Sequence, residues 1–135
     1  MGFLVKLDID GIDRQLERLE REKETYLAVR KLLATSIEEL EVKEGKDLKD
    51  EIILMYLKLQ SVVDVAAKLN EAGMRIQTDT HAGQRKYSSN DITQIVYYDT
   101  ENNSKHFKIA RLYNKYNSRL LSEKELIKHL LAIRS

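Results

Sequence analysis

The sequence predicts a mainly α-helical protein: an N-terminal coiled-coil helix followed by a helix-turn-helix or winged-helix domain with at most a small β-hairpin. Three observations carry this. The 135 residues contain no proline, so no helix is broken by a missing amide. A heptad of apolar residues runs from residue 9 to residue 40. Between residues 61 and 96 an apolar helical pattern, a glycine stop, a basic turn-rich segment and a short capped helix follow one another, the order of a helix-turn-helix DNA reader. The expected division is a dimerisation helix over residues 1–44 and a reader domain over residues 45–135.

The heptad places Ile9, Leu16, Lys23, Arg30 and Ile37 in one register and Ile12, Leu19, Tyr26, Leu33 and Leu40 in the other. Eight of these ten are apolar, which is enough to expect a homodimer through residues 9–40. Lys23 and Arg30 interrupt the seam. Long basic side chains reach out of a two-stranded seam to flanking Glu20, Glu22 or Glu24, which favours two strands over a wider bundle. Asp8 or Asp10 caps the start. Beyond residue 26 the apolar surface widens through Leu27, Val29, Leu32 and Ala34, so the second half of the helix is expected to pack on its own domain; the alternative is an amphipathic hairpin folded back within a monomer. Ser36 and the charged run 41–50, with Gly45 inside it, are expected to loosen and end the helix.

A second helix is expected over residues 49–60, with Ile52, Ile53, Met55, Tyr56, Leu57 and Leu59 mostly buried. Ser61 caps a third over 62–72, with Val62, Val65, Ala66 and Leu69 facing the core and Gly73 as its stop. Residues 74–78 and 85–87 are expected as two short strands of a hairpin, with turn signals at Asp79-Thr80 and Ala82-Gly83 between them. Ser88 with Asp91 makes a capping box for a short helix over 88–96. Two more helices follow over 105–117 and 122–134, the last capped by Ser122 and Glu125.

The absence of cysteine excludes disulfides and thiolate metal sites. No apolar run reaches the length of a membrane span, and the start is too short for a signal peptide. Gly2 is a poor lipidation cue because Lys6 stands where Ser or Thr belongs. The expectation is a soluble cytoplasmic protein with no membrane partner. A net charge of +1 hides a division: residues 1–72 hold 12 basic and 16 acidic side chains, residues 73–135 hold 11 and 6. The second half therefore suits a polyanion.

The order Ala66, Leu69, Asn70, Gly73, a basic loop, Tyr87, Ser88, Ile92 and Ile95 resembles the DNA-binding region of large serine recombinases. The resemblance spans residues 61–96. There is no catalytic domain with a nucleophilic serine, and Tyr87 replaces the commoner tryptophan. What the resemblance implies is a DNA-binding helix-turn-helix or winged-helix unit without recombinase activity. A coiled coil beside such a unit is a familiar layout among small phage and plasmid regulators.

The candidate binding residues follow from the helix over 88–96. With Ile92, Ile95 and Val96 facing the core, Ser89, Asn90, Thr93, Gln94 and Tyr97 are left for the major groove, where Asn and Gln pair bidentately with adenine. Arg75, His81, Arg85 and Lys86 lie in the connecting segment, placed for phosphates. Lys105, Lys108, Arg111, Lys115 and Arg119 recur at helical spacing as a second basic stripe. No histidine pair, glycine-rich phosphate loop or nucleophile elbow occurs, so neither an enzyme nor a cofactor is expected. The function expected is a small dimeric DNA-binding regulator or phage- or plasmid-type factor on double-stranded DNA. The alternatives are a protein–protein adaptor with a coiled-coil arm, or a DNA-organising or packaging protein of higher oligomeric state.

Overall fold

A computed structural model describes residues 7–80 and 83–134. Gly2, Lys6, His81 and Ala82 lie outside these. The described residues are mainly α-helical, with six helices and one two-stranded sheet. No helix among them is long and apolar enough to cross a membrane.

The first helix, α1 (Ile9–Val42), starts at Asp8, whose carboxylate accepts from the Gly11 amide at 2.8 Å. It runs without a break through Ser36. The expected loosening there does not occur, because Leu32 and Leu40 one turn to either side are both in the core and Ser36 itself is fully buried. Tertiary burial outweighs the weak helix preference of one serine. The turn comes later, at Gly45, whose φ of 70° suits a residue without a side chain.

The two halves of α1 differ. Toward its C-terminus, Leu32, Ser36 and Leu40 are buried, with Val29, Leu33 and Ile37 packed around them. Toward its N-terminus, Ile9, Ile12, Leu16, Leu19, Tyr26 and Leu27 are all exposed, and Lys23 and Arg30 lie exposed on the same ridge. The Tyr26 hydroxyl donates to Glu123 at the start of the last helix.

Next comes α2 (Leu48–Leu59), which opens with a reciprocal box between Asp47 and Asp50. It is the central element, packing against α1 and three later helices. That is why its Ile52, Ile53, Leu54, Tyr56 and Leu57 are buried and its apolar pattern is nearly continuous. Each such large side chain contributes about 1.5–3 kcal/mol of burial. The Tyr56 hydroxyl accepts from Asn117 at 2.8 Å, so this buried polar atom is satisfied. Ser61 caps α3 (Val62–Glu71), and Gly73, at φ 82°, carries the chain away from it.

The hairpin is shorter than expected: β1 (Ile76–Gln77) pairs antiparallel with β2 (Gln84–Arg85), with Ile76 opposite Arg85. Lys86 and Tyr87 lie beyond the ladder. Tyr87 is buried, and its backbone is held by a side chain instead: Asn70 at the end of α3 accepts from the Tyr87 amide at 2.8 Å and donates to its carbonyl at 3.0 Å. The remaining helices are α4 (Ser89–Val96), α5 (Lys105–Asn117) and α6 (Glu123–Arg134). Ser122 and Glu125 cap α6 reciprocally, each pair at 3.1 Å. Ile92 and Val96 of α4, Phe107 and Ile109 of α5 and Leu126 and Leu130 of α6 join Leu40 and Ile52 in one core.

Candidate nucleic-acid interface

Packing positions α4, and its cap explains its polar side. Ile92 and Val96 are fully buried, so the opposite face turns to solvent. Ser88 precedes the helix with extended backbone; its hydroxyl accepts from the Asp91 amide and its own amide donates to the Asp91 carboxylate at 2.8 Å. Arg85 completes the cluster, clamping both Asp91 oxygens at 2.8 Å. Arg85, followed by the hydrogen bonds from Ser88, holds the Asp91 carboxyl well below the usual carboxylate range against the opposing effect of burial.

A depressed carboxylate contributes stability above its unfolded value of about 3.9 and loses it as pH falls through the lower folded value. The cap is therefore expected to be insensitive to pH from 5 to 8 and to weaken only below about pH 4. Amide exchange at Ser88 and Asp91 measures this, and Asp91→Asn should remove the acid-dependent part. An α4 cap that weakens between pH 5 and 7 would contradict the Arg85 clamp.

Ser89, Asn90 and Gln94 are exposed, with polar ends free. Thr93 is half-buried, and its hydroxyl turns back to donate to the Ser89 carbonyl at 3.1 Å, away from any groove. Tyr97 is the residue after α4 and is half-buried. Its ring stacks edge-on against Tyr98 at 4.8 Å, while the Arg111 guanidinium covers it at 4.5 Å and donates from Nε to its carbonyl at 3.0 Å.

The loop cations are placed differently from one another. Arg75 donates to the Met74 carbonyl at 2.7 Å and to the Asn70 carbonyl at 3.2 Å, closing the C-terminal end of α3. Arg85 is engaged with Asp91. Lys86 is exposed and makes no ion pair among the described residues, which leaves it as the available loop cation. Lys105 and Lys108 are exposed on α5. The basic stripe ends at Lys115: α5 stops at Asn117, and Arg119 sits beyond it in a left-handed turn at φ 62°.

Asn90, Gln94 and Tyr97 share one helix face, and Arg111 joins that face to Lys108 and Lys105 one turn apart along α5. The sequence names Arg111 only as one member of a stripe; its place against Tyr97 depends on the packing of α4 on α5, which no local spacing announces. Asn70 likewise appears in the sequence as part of a motif, and its clamp on Tyr87 is a tertiary contact across 17 residues.

Among the described residues, no group of three or more acidic or histidine side chains is placed to hold a metal ion. His106, half-buried on α5, has no partner for Nδ1 among the described residues, and burial pushes its imidazole down despite the raising influence of Glu39. No family model, curated protein or solved structure matches the chain.

Proposed function

We propose that this chain is a cytoplasmic DNA-binding protein that acts as a homodimer. In this reading α3, the hairpin and α4 are a helix-turn-helix unit of winged type, like the DNA-binding region of large serine recombinases. α4 is the reader, and the exposed ridge of α1 pairs with a second copy as a coiled coil. The observation that carries the reading is that Asn90 and Gln94 are exposed on α4, whose following residue Tyr97 is covered by Arg111 of α5, the helix on which Lys108 and Lys105 are exposed. Amides that hydrogen-bond base edges stand next to cations that suit phosphates. An adaptor that only retained this shape for packing has no need of a connected basic face there.

Two variants test it together. Gln94→Ala should cost on the order of 1–3 kcal/mol on a preferred duplex and far less on random sequence. Lys86→Ala should weaken binding to both alike and lower the slope of log affinity against log salt by about one unit. Selected duplexes and a salt series measured by fluorescence anisotropy give both numbers. Equal losses on both duplexes for Gln94→Ala, or none, would remove α4 as the reader. A particle larger than a dimer would favour a DNA-organising assembly.

A further inference from the structure

We propose that the groove between the first half of α5 and the last half of α6 binds a small phosphate ester with an apolar body. It goes beyond DNA binding and does not depend on it. Lys105, Lys108 and Arg111 line one wall, His129 the other, over an apolar floor that includes Leu112 and Ile133; the groove measures about 660 Å³.

What marks this groove is that three cations converge on it. Elsewhere Lys43, Lys46, Lys49 and Lys58 each face a carboxylate within 4.0 Å. Among the described residues no acidic side chain lines the groove, and neither Lys105 nor Lys108 makes an ion pair. Arg111 uses Nε on the Tyr97 carbonyl and leaves its two terminal nitrogens without a protein partner. Three like charges share one concave surface, and a dianion relieves their repulsion better than a monoanion does. A phosphate ester matches that charge and the fork of the guanidinium.

Size and floor argue for an ester over free phosphate. Small-molecule sites span roughly 300–1,000 Å³ and are largely apolar with a few converging polar groups, which describes this groove and exceeds the needs of a bare phosphate. Leu112 and Ile133 would carry an aromatic or aliphatic body. The backbone of a duplex would reach the lysine tips and leave that floor uncovered. Because Arg111 also covers Tyr97, a phosphate drawing on its terminal nitrogens is felt at the end of α4.

The test is an NMR titration of the full chain with adenosine monophosphate, phenyl phosphate, inorganic phosphate and a short duplex as separate probes. The two esters should bind saturably, shift Leu112, Ile133 and the Tyr97 amide, and bind about tenfold more tightly than inorganic phosphate, reflecting burial of the body. Lys105→Gln with Lys108→Gln, both exposed and outside the core, should weaken the esters about tenfold or more through lost charge-assisted bonds. Lys86→Gln should leave them unchanged. Absence of saturable ester binding at millimolar concentration overturns the proposal, as does ester binding that is indifferent to Lys105 and Lys108. Shifts of Leu112 and Ile133 by duplex alone overturn it in favour of a strand's phosphates. Ester binding with no duplex binding leaves this site standing and removes the DNA reading instead.

Discussion

A chain carrying Leu16→Glu and Leu19→Glu is expected to be monomeric at micromolar concentration, where the proposed pairing along α1 predicts a dimer for the parent chain. Both leucines are more than half exposed in the single chain, at 58% and 52%, on a ridge that continues through Ile12 and Tyr26. A dimer along α1 buries four copies of these side chains. Full burial of such a side chain contributes about 1.5–3 kcal/mol and a little over half of each remains to be buried, so their loss removes roughly 3–7 kcal/mol, a large share of the 8.2 kcal/mol that corresponds to a micromolar dissociation constant. The four new carboxylates repel one another across the seam as well. Neither residue belongs to the core, so the monomer should keep its helical circular dichroism. An unchanged dimer mass would place the interface elsewhere and end the coiled-coil reading.

Asn70→Ala should destabilise the fold by roughly 2–4 kcal/mol, the sum expected when two partly buried backbone groups lose their partners. The Asn70 side chain acts as a short piece of β-ladder, accepting from the Tyr87 amide and donating to the Tyr87 carbonyl. Tyr87 is buried, so solvent reaches the freed groups poorly. Asn70→Asp keeps the acceptor and sets a carboxylate against the Tyr87 carbonyl, so it should not rescue. Urea midpoints at constant m-value measure both. A change below about 0.5 kcal/mol, the size of an ordinary surface substitution, would mean that water replaces the clamp. Since Ser88 follows Tyr87 directly, the same variant should loosen the start of α4 before the rest of the domain.

The helices were legible because their signals are local. Ser61, Ser88 and Ser122 each precede an apolar periodic run, and each caps the helix expected of it. Gly45 and Gly73 stand at turns with positive φ, as their positions suggest. The helix continues past Ser36, where its sequence predicts loosening, for a physical reason. Serine and glutamate weaken a helix only slightly, and burial of Leu32 and Leu40 in the core decides the matter from outside. The polar side of α4 was visible as Asn90 and Gln94. The fate of the cations was not. Arg75, Arg85 and Lys86 look alike in the sequence, yet one closes α3, one clamps Asp91 and one is free. That sorting depends on where the hairpin lays each side chain, and two-residue strands leave little trace in a pattern.

The continuity of α1 has a mechanical consequence. Thirty-four residues of one helix, about 51 Å at 1.5 Å per residue, carry the exposed ridge at one end and Leu32 and Leu40 of the core at the other. No hinge separates the two. In a dimer joined along that ridge the reading heads are fixed as on a ruler, not hung on tethers. Their separation and rotational phase are set by the joint and not by the target. Two half-sites moved apart by half a helical turn, about 5 base pairs, would face opposite sides of the duplex, and only one head would reach its groove.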